Sequence, residues 1–517
     1  MSATFYTWIC VAVVAEFAMT AFAAPPAEPI GSASVQVWGT ATPEEVGIDS
    51  VPLVEMLDFV RERKIPVHSI QLVRGGRLVL DAYFYPYDGR TPHDVASVTK
   101  SITSTLVGLA IERGYILDVQ QPVLSFFPGR CLAGLDARKK RQTLEHLLTM
   151  QSGWDCGAPL GAPNINADAI LATMRRSDDW VQFALDLPMT SEPGTRFLYC
   201  NANCHVLSAL ITRVTGTNAL GFAQRELFGP LAIHDVAWPA DPHGNNYGWG
   251  DLQLHPRDMA RLGQLFLQSG RWAGRQVVPE NWLRTATRVH VERTGGRDQY
   301  GYFWWMPGEK FPGLFEAVGR GGQRITVWPA KDLVLVYTGG GFQTDELAPF
   351  ILKSLKSDKP DQPLPGNPDS TARLREKLAV ALQGPAPQPV PVLPAMAARI
   401  SGISYTLTAN GLDLATLTLR FNKPAEASVR FTRLGQELRC PVGLDGVERF
   451  STDTLEALPF AAKGQWLNAK TFLLELDRVA GISLYRFKLV FDDEGKSLSI
   501  SLTERTGLGA ETFTGKS

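Results

Sequence analysis

The sequence predicts an α+β fold with two parts: a larger part with strands at both ends and helices between them, and a small C-terminal antiparallel β domain. Three observations lead to this prediction. Runs of β-forming residues occur near residue 70 and again between residues 302 and 337, helical patterns fill the chain between them, and apolar residues alternate with period two beyond residue 398. Strands that lie far apart in sequence but share one sheet leave the intervening helices to cover its faces.

Length and composition fit two folded domains. With 517 residues the chain is too long for one ordinary domain, and 44% hydrophobic with 20% charged residues is an ordinary balance for a soluble protein. The formal net charge is -1 at pH 7, which gives no electrostatic reason to expect nucleic acid or an anionic membrane surface as a partner.

Residues 1–24 form an apolar segment rich in small residues, and Ala21-Phe22-Ala23 looks like a signal-peptidase site. Although no Lys or Arg precedes the apolar run and Glu16 interrupts it, we predict a cleaved signal peptide rather than an uncleaved anchor or a misassigned start. The protein is therefore expected to be exported, either periplasmic or secreted. No other segment has the run of about 20 apolar residues that a membrane-spanning helix needs.

Six cysteines occur, at Cys10, Cys131, Cys156, Cys200, Cys204 and Cys440. Removal of the leader leaves five, so at least one is unpaired within the chain, and the sequence does not assign the pairs. The run from Cys200 to His205 can also be interpreted as part of a zinc cluster, but no second pair of ligands occurs elsewhere. We therefore predict no metal and no other cofactor.

The folded part is expected to begin near residue 42 with a helix that runs to Val60. Two β-rich runs, residues 69–73 and 78–84, lie on either side of Arg74-Gly75-Gly76-Arg77 and predict a hairpin.

The next helix carries the first candidate active-site residues. Apolar residues recur at helical spacing from Val98 to Leu109, and Gly114 supplies a stop signal. Ser97 and Lys100 lie three residues apart at its start, so they share one face of the helix. A serine becomes a nucleophile when a base is within hydrogen-bond reach, and a helix N-terminus adds N–H groups that can stabilise an oxyanion. Ser-x-x-Lys alone also matches many proteins by chance.

The rest of the chain divides into helices, strands, a linker and a second domain. Helices are predicted near residues 142–150, 178–186, 203–215, 219–227, 256–268 and 347–355. Strands are predicted at residues 302–305, 325–328 and 333–337. Residues 358–397 hold nine of the 35 prolines and are expected to form a stiff linker with a short helix at 371–382. In residues 398–517 the period-two alternation predicts an antiparallel meander or barrel.

Two later stretches add to the Ser97 motif. Tyr199-Cys200-Asn201 precedes an apolar helix, and Arg320-Gly321-Gly322-Gln323 leads into a strand. With these motifs in this order, residues 36–357 resemble the serine β-lactamase and penicillin-binding-protein superfamily, and most of all its class C-type esterases and amidases, which include the 6-aminohexanoate-dimer hydrolases. That family carries S-x-x-K, then Y-x-N, then a strand bearing K-T-G, H-x-G or a glycine-rich substitute. The resemblance implies a β-lactamase/transpeptidase-like fold, which is an antiparallel sheet flanked by helices with a helical region inserted.

The resemblance also implies roles for the motif residues. Ser97 would be the acylated nucleophile, and Lys100 would help to deprotonate it. Tyr199 would be a second proton carrier and the base for the leaving group and the incoming water. Asn201 would orient Lys100 or hold the substrate carbonyl. The backbone N–H groups of Ser97 and Gln323 would form the oxyanion hole.

Arg320 departs from the family pattern, because it stands where Lys or His is common if Arg320-Gly321-Gly322 aligns with K-T-G. A permanent, forked cation at this position favours a carboxylate or another anion on the substrate. Gly321 and Gly322 would let the strand approach the substrate closely, or would form a bulge.

We therefore expect an exported serine hydrolase that cleaves a small ester, amide or short peptide through an acyl-enzyme. A D-amino-acid peptidase, a β-lactamase and a catalytically inactive binding protein of the same fold remain open, as do the oligomeric state and the role of residues 398–517 as a lid, dimer surface or attachment module. The sequence contains neither the G-x-S-x-G motif of α/β-hydrolases nor the H-E-x-x-H motif of zinc proteases. Four tryptophans lie near the motifs: Trp154, Trp249, Trp304 and Trp305. We expect at least half of them to pack in the core.

Overall fold

The computed structural model describes residues 39–157, 169–292, 299–455, 457–507 and 509–517, which belong to one compact unit. The predicted signal peptide, residues 1–24, lies outside the described residues. Within the described ranges, no helix has both the length and the apolar character needed to cross a membrane.

The described helices, in chain order, are α1 (Ser50–Arg63), α2 (Val98–Glu112), α3 (Ala137–Arg141), α4 (Leu144–Leu148), α5 (Ala169–Arg176), α6 (Trp180–Asp186), α7 (Asn201–Thr215), α8 (Ala219–Ala223), α9 (Pro256–Leu267), α10 (Glu280–Ala286), α11 (Ala348–Ser354), α12 (Pro368–Ala381) and α13 (Ala395–Ile400).

The described strands of the N-terminal domain (residues 39–357) are β1 (Gly39–Thr40), β2 (Val67–Arg74), β3 (Arg77–Tyr83), β4 (His93–Asp94), β5 (Gln253–Leu254), β6 (Arg271–Trp272), β7 (Arg275–Gln276), β8 (Val291–Glu292), β9 (Gln299–Tyr300), β10 (Trp305–Met306), β11 (Phe315–Val318), β12 (Arg324–Trp328) and β13 (Leu333–Gly339). Those that follow are β14 (Ser404–Leu407), β15 (Leu414–Lys423), β16 (Glu426–Arg433), β17 (Gln436–Gly443), β18 (Arg449–Leu455), β19 (Leu458–Asn468), β20 (Thr471–Arg478), β21 (Leu484–Phe491), β22 (Ser497–Glu504) and β23 (Ala510–Lys516).

The N-terminal domain is a sheet between two apolar layers. Its strands lie in the order β1-β3-β2-β13-β12-β11-β10-β9-β8, antiparallel except for the β1–β3 pair. β2 and β13 are buried along their whole length because helices cover both faces of the sheet centre. α1, α11 and α12 pack on one face, and α2, α9 and the helices inserted between β4 and β5 form the core on the other. This is the α+β, β-lactamase-like architecture that the sequence predicts.

Helix α2 lies inside the N-terminal domain. Every residue from Val98 to Ala110 is buried, as expected for a helix that has neighbours on all sides. Because α2 cannot rotate or shift without disturbing this packing, the residues at its N-terminus have fixed positions.

Two predicted elements need correction, and one strand was not predicted. The helix expected from residue 42 begins at Ser50, because Gly47 has φ 73° and ends a short 3₁₀ turn before it. The strand expected at 302–305 includes only Trp305, because Phe303 adopts φ 63° in a turn closed by Gly301 N–H and the Trp304 carbonyl. β11, Phe315–Val318, was not predicted, because its four residues are too short a run to show alternation.

The C-terminal residues form a barrel, which we define as residues 404–516. Its strands follow the order β17-β16-β15-β14-β23-β22-β21-β20-β19-β18, and an additional pairing of β17 with β19 closes it. Inward-facing residues alternate along the strands as predicted, for example Leu417 and Leu419 on β15 and Phe472 and Leu474 on β20. The proline-rich segment contributes α12, which packs on α1, and α13, whose Ile400 enters the barrel core.

Candidate active site

Ser97 and Lys100 meet at the N-terminus of α2. Lys100 is 2% exposed, and its Nζ donates hydrogen bonds to Ser97 Oγ and to the Trp249 carbonyl oxygen, each over 2.8 Å. The same Nζ lies 4.7 Å from the centre of the Tyr199 ring. A buried amino group needs such partners, and here one of them is the hydroxyl of a serine that remains partly exposed. The structure therefore brings three of the predicted residues together.

The turn before Ser97 has a left-handed residue. Ala96 has φ 48°, a conformation that residues other than glycine rarely adopt. Asp94 Oδ1 accepts a hydrogen bond from Ala96 N–H over 2.8 Å, and Thr99 Oγ1 donates one to the Ala96 carbonyl over 2.6 Å. These bonds hold the strained backbone and fix the direction in which the chain enters α2.

A buried cluster supports the carbonyl group that accepts from Lys100. The Trp249 ring contacts the ring of His205, with 5.2 Å between centres, and His205 Nε2 lies 3.0 Å from Asp241 Oδ2. Burial by itself would raise the pKa of Asp241, but hydrogen bonds from His205 and Asn245 outweigh burial and lower this pKa to about 2. An ionised Asp241 thus anchors His205 behind Trp249.

Tyr199 and Asn201 lie on either side of the start of α7. Asn201 is the first residue of the helix, and Cys200 precedes it as the N-cap. Cys200 forms a disulfide with Cys156, which the sequence could not assign, while Cys131 and Cys440 are free. The disulfide ties the residue between Tyr199 and Asn201 to the neighbouring loop.

The four tryptophans near the motifs divide between core and site. Trp154, Trp249 and Trp304 are buried in the core of the N-terminal domain. Trp305 is only partly buried and stacks on Tyr199, with ring centres 6.2 Å apart and planes at 29°. The expectation that at least half of them pack in the core is therefore correct.

The Arg320–Gln323 turn lies beside the residues that precede Ser97. A Cβ built on Gly319 would come within 2.6 Å of the Val95 carbonyl oxygen, which shows how closely the two segments approach. Gly321 and Gly322 have φ 85° and 95°, so the turn needs glycine at both positions. The buried Gln323 side chain bonds to the Gly339 backbone through Nε2 to the carbonyl (2.6 Å) and Oε1 to the N–H (3.2 Å).

The backbone N–H group of Ser97 lies at the N-terminus of α2, and that of Gln323 lies at the end of the adjacent glycine turn. Two N–H groups on adjacent segments are the kind of donor pair that an oxyanion hole uses.

Arg320 points toward the barrel. Its side chain is 41% exposed, and its Nη1 donates to Thr506 Oγ1 over 2.8 Å and lies 3.9 Å from Glu504 Oε1. Part of the guanidinium group is thus engaged inside the protein, and the remainder faces solvent. No local sequence pattern indicates these two barrel residues as neighbours of the site.

The zinc interpretation of the Cys200–His205 run does not fit the structure. Cys200 is half of a disulfide, and His205 is paired with Asp241. In the described ranges no group of His, Cys, Asp and Glu side chains is arranged to hold a metal ion.

Sequence reasoning missed several contributors to the site. Asp94 and Ala96 carry no recognisable pattern, because a left-handed residue is set by tertiary bonds rather than by its identity. Trp305 could be singled out only as a tryptophan near a motif. Ala480, whose carbonyl oxygen accepts from Asp94 N–H, and Thr506 lie in the second domain, more than 150 residues beyond the last motif, and no local signal connects them to it.

The fold and the Ser97–Lys100–Tyr199 arrangement define a serine hydrolase related to the β-lactamases. A family model described as Beta-lactamase matches residues 55–351, more than half of the chain, and the chain belongs to this family.

Several curated proteins are similar to this chain. The 6-aminohexanoate-dimer hydrolase of Paenarthrobacter ureafaciens is 26% identical over 323 residues, which is 60% of this chain and 82% of the relative. A Beta-lactamase of Escherichia coli (strain K12) is 26% identical over 291 residues, 53% of this chain and 69% of the relative.

Among solved structures, a putative 6-aminohexanoate-dimer hydrolase from Bacillus anthracis has a TM-score of 0.49 at 20% identity, covering 67% of this chain and 87% of its own. An octameric penicillin-binding protein homologue from Pyrococcus abyssi has a TM-score of 0.47 at 17% identity, covering 90% and 99%.

Proposed function

We propose that this protein cleaves an ester or amide bond of a small substrate or short peptide through an acyl-enzyme on Ser97. One observation carries the proposal: the buried Lys100 Nζ lies 2.8 Å from Ser97 Oγ, at the N-terminus of a fully packed helix. A lysine held there without a carboxylate partner in the contacts described for it is suited to take the hydroxyl proton.

In the proposed reaction, Ser97 Oγ forms a bond to the substrate carbonyl carbon while its proton passes to Lys100. The N–H groups of Ser97 and Gln323 stabilise the negative charge on the carbonyl oxygen. The bond to the leaving group then breaks, and the leaving group takes up a proton through Tyr199. Water attacks the acyl-enzyme by the reverse proton path and releases the acid and free Ser97.

Substrate recognition is proposed to involve Asn201, Arg320 and the two glycines of the turn. Asn201 at the start of α7 would hold the substrate carbonyl or orient Lys100, and the exposed part of Arg320 would attract a carboxylate. Gly321 and Gly322 have left-handed backbones, and a Cβ on either would collide with Ile482 or Phe342, so the turn that presents the Gln323 N–H group needs glycine at both positions. Because Arg320-Gly321-Gly322 replaces K-T-G, an esterase or short-amide hydrolase is favoured over a β-lactamase, and a D-amino-acid peptidase remains an alternative.

Export remains part of the proposal. The Cys156–Cys200 disulfide supports it, since disulfides persist mainly in oxidising compartments. The apolar residues 1–24 support it as well.

A fluorophosphonate probe tests the proposed nucleophile directly. The probe is incubated with the wild-type protein and with Ser97→Ala, and intact mass is measured by mass spectrometry. We expect one adduct on the wild type and none on the variant. Ser101→Ala is the matched control, because Ser101 lies one turn further into α2, where its Oγ donates to the Phe303 carbonyl.

If the probe labels Ser101→Ala but not Ser97→Ala, the next step is to screen neutral esters, carboxylate-bearing esters, short amides and D-peptides. Absence of an adduct from folded wild type would refute the mechanism and favour a binding protein that keeps the fold.

A further inference from the structure

The barrel is bonded directly to the segment that precedes the nucleophile. Asp94 N–H donates to the Ala480 carbonyl oxygen over 2.9 Å, and Asp94 in turn fixes Ala96. Around this bond, Tyr87 of the N-terminal domain packs in one apolar cluster with barrel residues that include Leu458 and Val479. The loop between β20 and β21 is therefore in contact with the start of the Ser97 helix.

The same loop and its neighbour also contact the opposite side of the site. A Cβ built on Gly321 would come within 2.4 Å of Ile482 Cγ2, and one on Gly341 within 2.8 Å of Thr506 Cγ2. Ile482 is 3% exposed, so its side chain is packed against the glycine turn rather than against solvent. The barrel thus supports the turn that carries Gln323.

A hydrogen-bonded chain runs from the barrel to Arg320. Glu504 Oε2 accepts from Thr506 N–H over 2.8 Å and from Thr506 Oγ1 over 2.5 Å, and Thr506 Oγ1 accepts from Arg320 Nη1 over 2.8 Å. The Glu504 side chain is only 3% exposed. A buried carboxylate therefore acts on the position of Arg320 through one hydroxyl group.

The cavity inside the barrel is too small to be a substrate site. Side chains fill the barrel, and the cavity that Phe431, Leu476 and Phe487 line has a volume of about 40 Å³. This is room for a few water molecules, whereas sites for small organic ligands are several times larger.

We propose that the active site is built from both domains, with Ile482, Glu504 and Thr506 of the barrel as positioning residues. Ile482 holds the turn that presents the Gln323 N–H group. Glu504 and Thr506 set the position of the Arg320 guanidinium group, and the carboxylate of Glu504 partly offsets its positive charge. The barrel thereby determines how strongly the enzyme prefers substrates that carry a carboxylate. This inference rests on the proposed function of Ser97 and Arg320.

The position of Arg320 is tested with two p-nitrophenyl esters of equal acyl length, one ending in a carboxylate and one in a methyl group. Thr506→Val removes the acceptor of Arg320, and we expect KM for the anionic ester to rise about fivefold, which corresponds to the net contribution of one hydrogen bond. Both kcat values and KM for the neutral ester should stay within about twofold, because the reacting groups are untouched. Thr506→Ser should restore the wild-type KM because it keeps the hydroxyl.

Thr503→Val is the matched control, since Thr503 is exposed on β22 of the same barrel; we expect it to change neither KM. Glu504→Gln separates charge from position. It keeps an acceptor for Thr506 but removes the negative charge near Arg320, so KM for the anionic ester should fall by about threefold. An unchanged ratio of the two KM values in both Thr506→Val and Glu504→Gln would overturn the specificity role of the barrel.

The support of the glycine turn is tested by the rate of fluorophosphonate labelling. Ile482→Ala should slow labelling of Ser97 about fivefold without removing it, because a loosened turn weakens one oxyanion donor. Leu467→Ala, a truncation of a half-exposed leucine on β19 of the barrel, should label at the wild-type rate. Equal rates for Ile482→Ala and the wild type would contradict the positioning role.

The proposed function of Ser97 and the composite site can be refuted separately. If wild-type Ser97 does not react with the probe, the proposed function fails and the composite site falls with it. If Ser97 reacts and Arg320→Ala raises KM for the anionic ester, but the barrel variants behave as wild type, only the composite site is refuted.

Discussion

Lys100 and Lys139 are two buried lysines with different surroundings. Lys139 Nζ donates to two backbone carbonyls, those of Ala133 and Leu185, each over 2.8 Å. Lys100 Nζ donates to one carbonyl and to the Ser97 hydroxyl. The first arrangement is structural, whereas the second adds a group that can exchange a proton with the amine.

This difference predicts opposite outcomes for the same substitution. Lys100→Met should lower kcat by about 10²- to 10⁴-fold, the usual loss when a general base is removed, and should slow fluorophosphonate labelling of Ser97. Lys139→Met should lower the melting temperature and leave kcat per folded molecule within about twofold, because its partners are backbone groups remote from chemistry. Equal loss of kcat in both variants would show that burial, rather than the Ser97 contact, is what matters.

For single residues, the sequence predicts contacts only between residues that lie on the same secondary-structure element. Ser97 and Lys100 could be found because three residues along a helix bring side chains to one face. The contact of Lys100 with the Trp249 carbonyl could not, because 149 residues separate the two and only the packed fold brings them together. The same holds for the Trp305–Tyr199 stack.

Among the secondary-structure elements, α7 depends on a covalent tie at its start. Cys200 caps the helix between Tyr199 and Asn201, and its disulfide to Cys156 spans 44 residues of sequence. Closing a loop of this length restricts the unfolded chain, and native disulfides of this kind typically contribute about 2–4 kcal/mol to the free energy of unfolding.

Breaking this tie should affect both stability and turnover. Cys156→Ser is expected to lower the free energy of unfolding by about 2–4 kcal/mol and to lower kcat more than KM, because Tyr199 loses its fixed position next to Lys100. Cys131→Ser, at an exposed free cysteine, is the control and should change neither quantity. Measurements are urea unfolding and steady-state kinetics, and a Cys156→Ser variant with wild-type kcat would show that the packing of α7 alone positions Tyr199.

Elements whose pattern is regular could be predicted, and those set by single turns could not. The β2–β3 hairpin and the buried strand β13 follow from alternating or continuous apolar runs next to glycine turns. The strand at residues 302–305 was predicted because aromatic residues are common in strands. Tyr302, Phe303 and Trp304 instead form a turn whose side chains pack in the core.

For the whole molecule, the two domains meet at a pair of buried histidines. His68 Nδ1 lies 2.8 Å from His93 Nε2, and both rings are almost inaccessible to solvent. Charged groups of the barrel face the pair: Arg505, which is bonded to Asp477 over 3.3 Å, and Arg478. The sequence predicted two domains but not their contact, because the residues that meet belong to segments nearly 400 residues apart.

Burial is the main cause that lowers the pKa of both histidines, and the neighbouring Arg505 and Arg478 act in the same direction; for His93 the pKa falls from 6.5 to about 4. Below pH 6.5 the unfolded chain binds protons that the folded chain excludes, so this stabilisation is complete above pH 6.5 and is lost as the pH falls toward 4. Acid should therefore weaken the junction between the N-terminal domain and the barrel.

Replacing one histidine tests this expectation. Between pH 7.5 and pH 5.0, His93 alone should cost the wild type about 2 kcal/mol of unfolding free energy. His68, His146 and His290, whose pKa values burial also lowers, add to the loss. In His93→Gln the loss between the two pH values should shrink by that amount even if the variant is less stable at both, whereas replacement of the exposed His234 by Gln should leave it unchanged. Urea unfolding at the two pH values measures the difference, and an identical loss in the wild type and His93→Gln would mean that the histidine pair accepts protons within the folded junction.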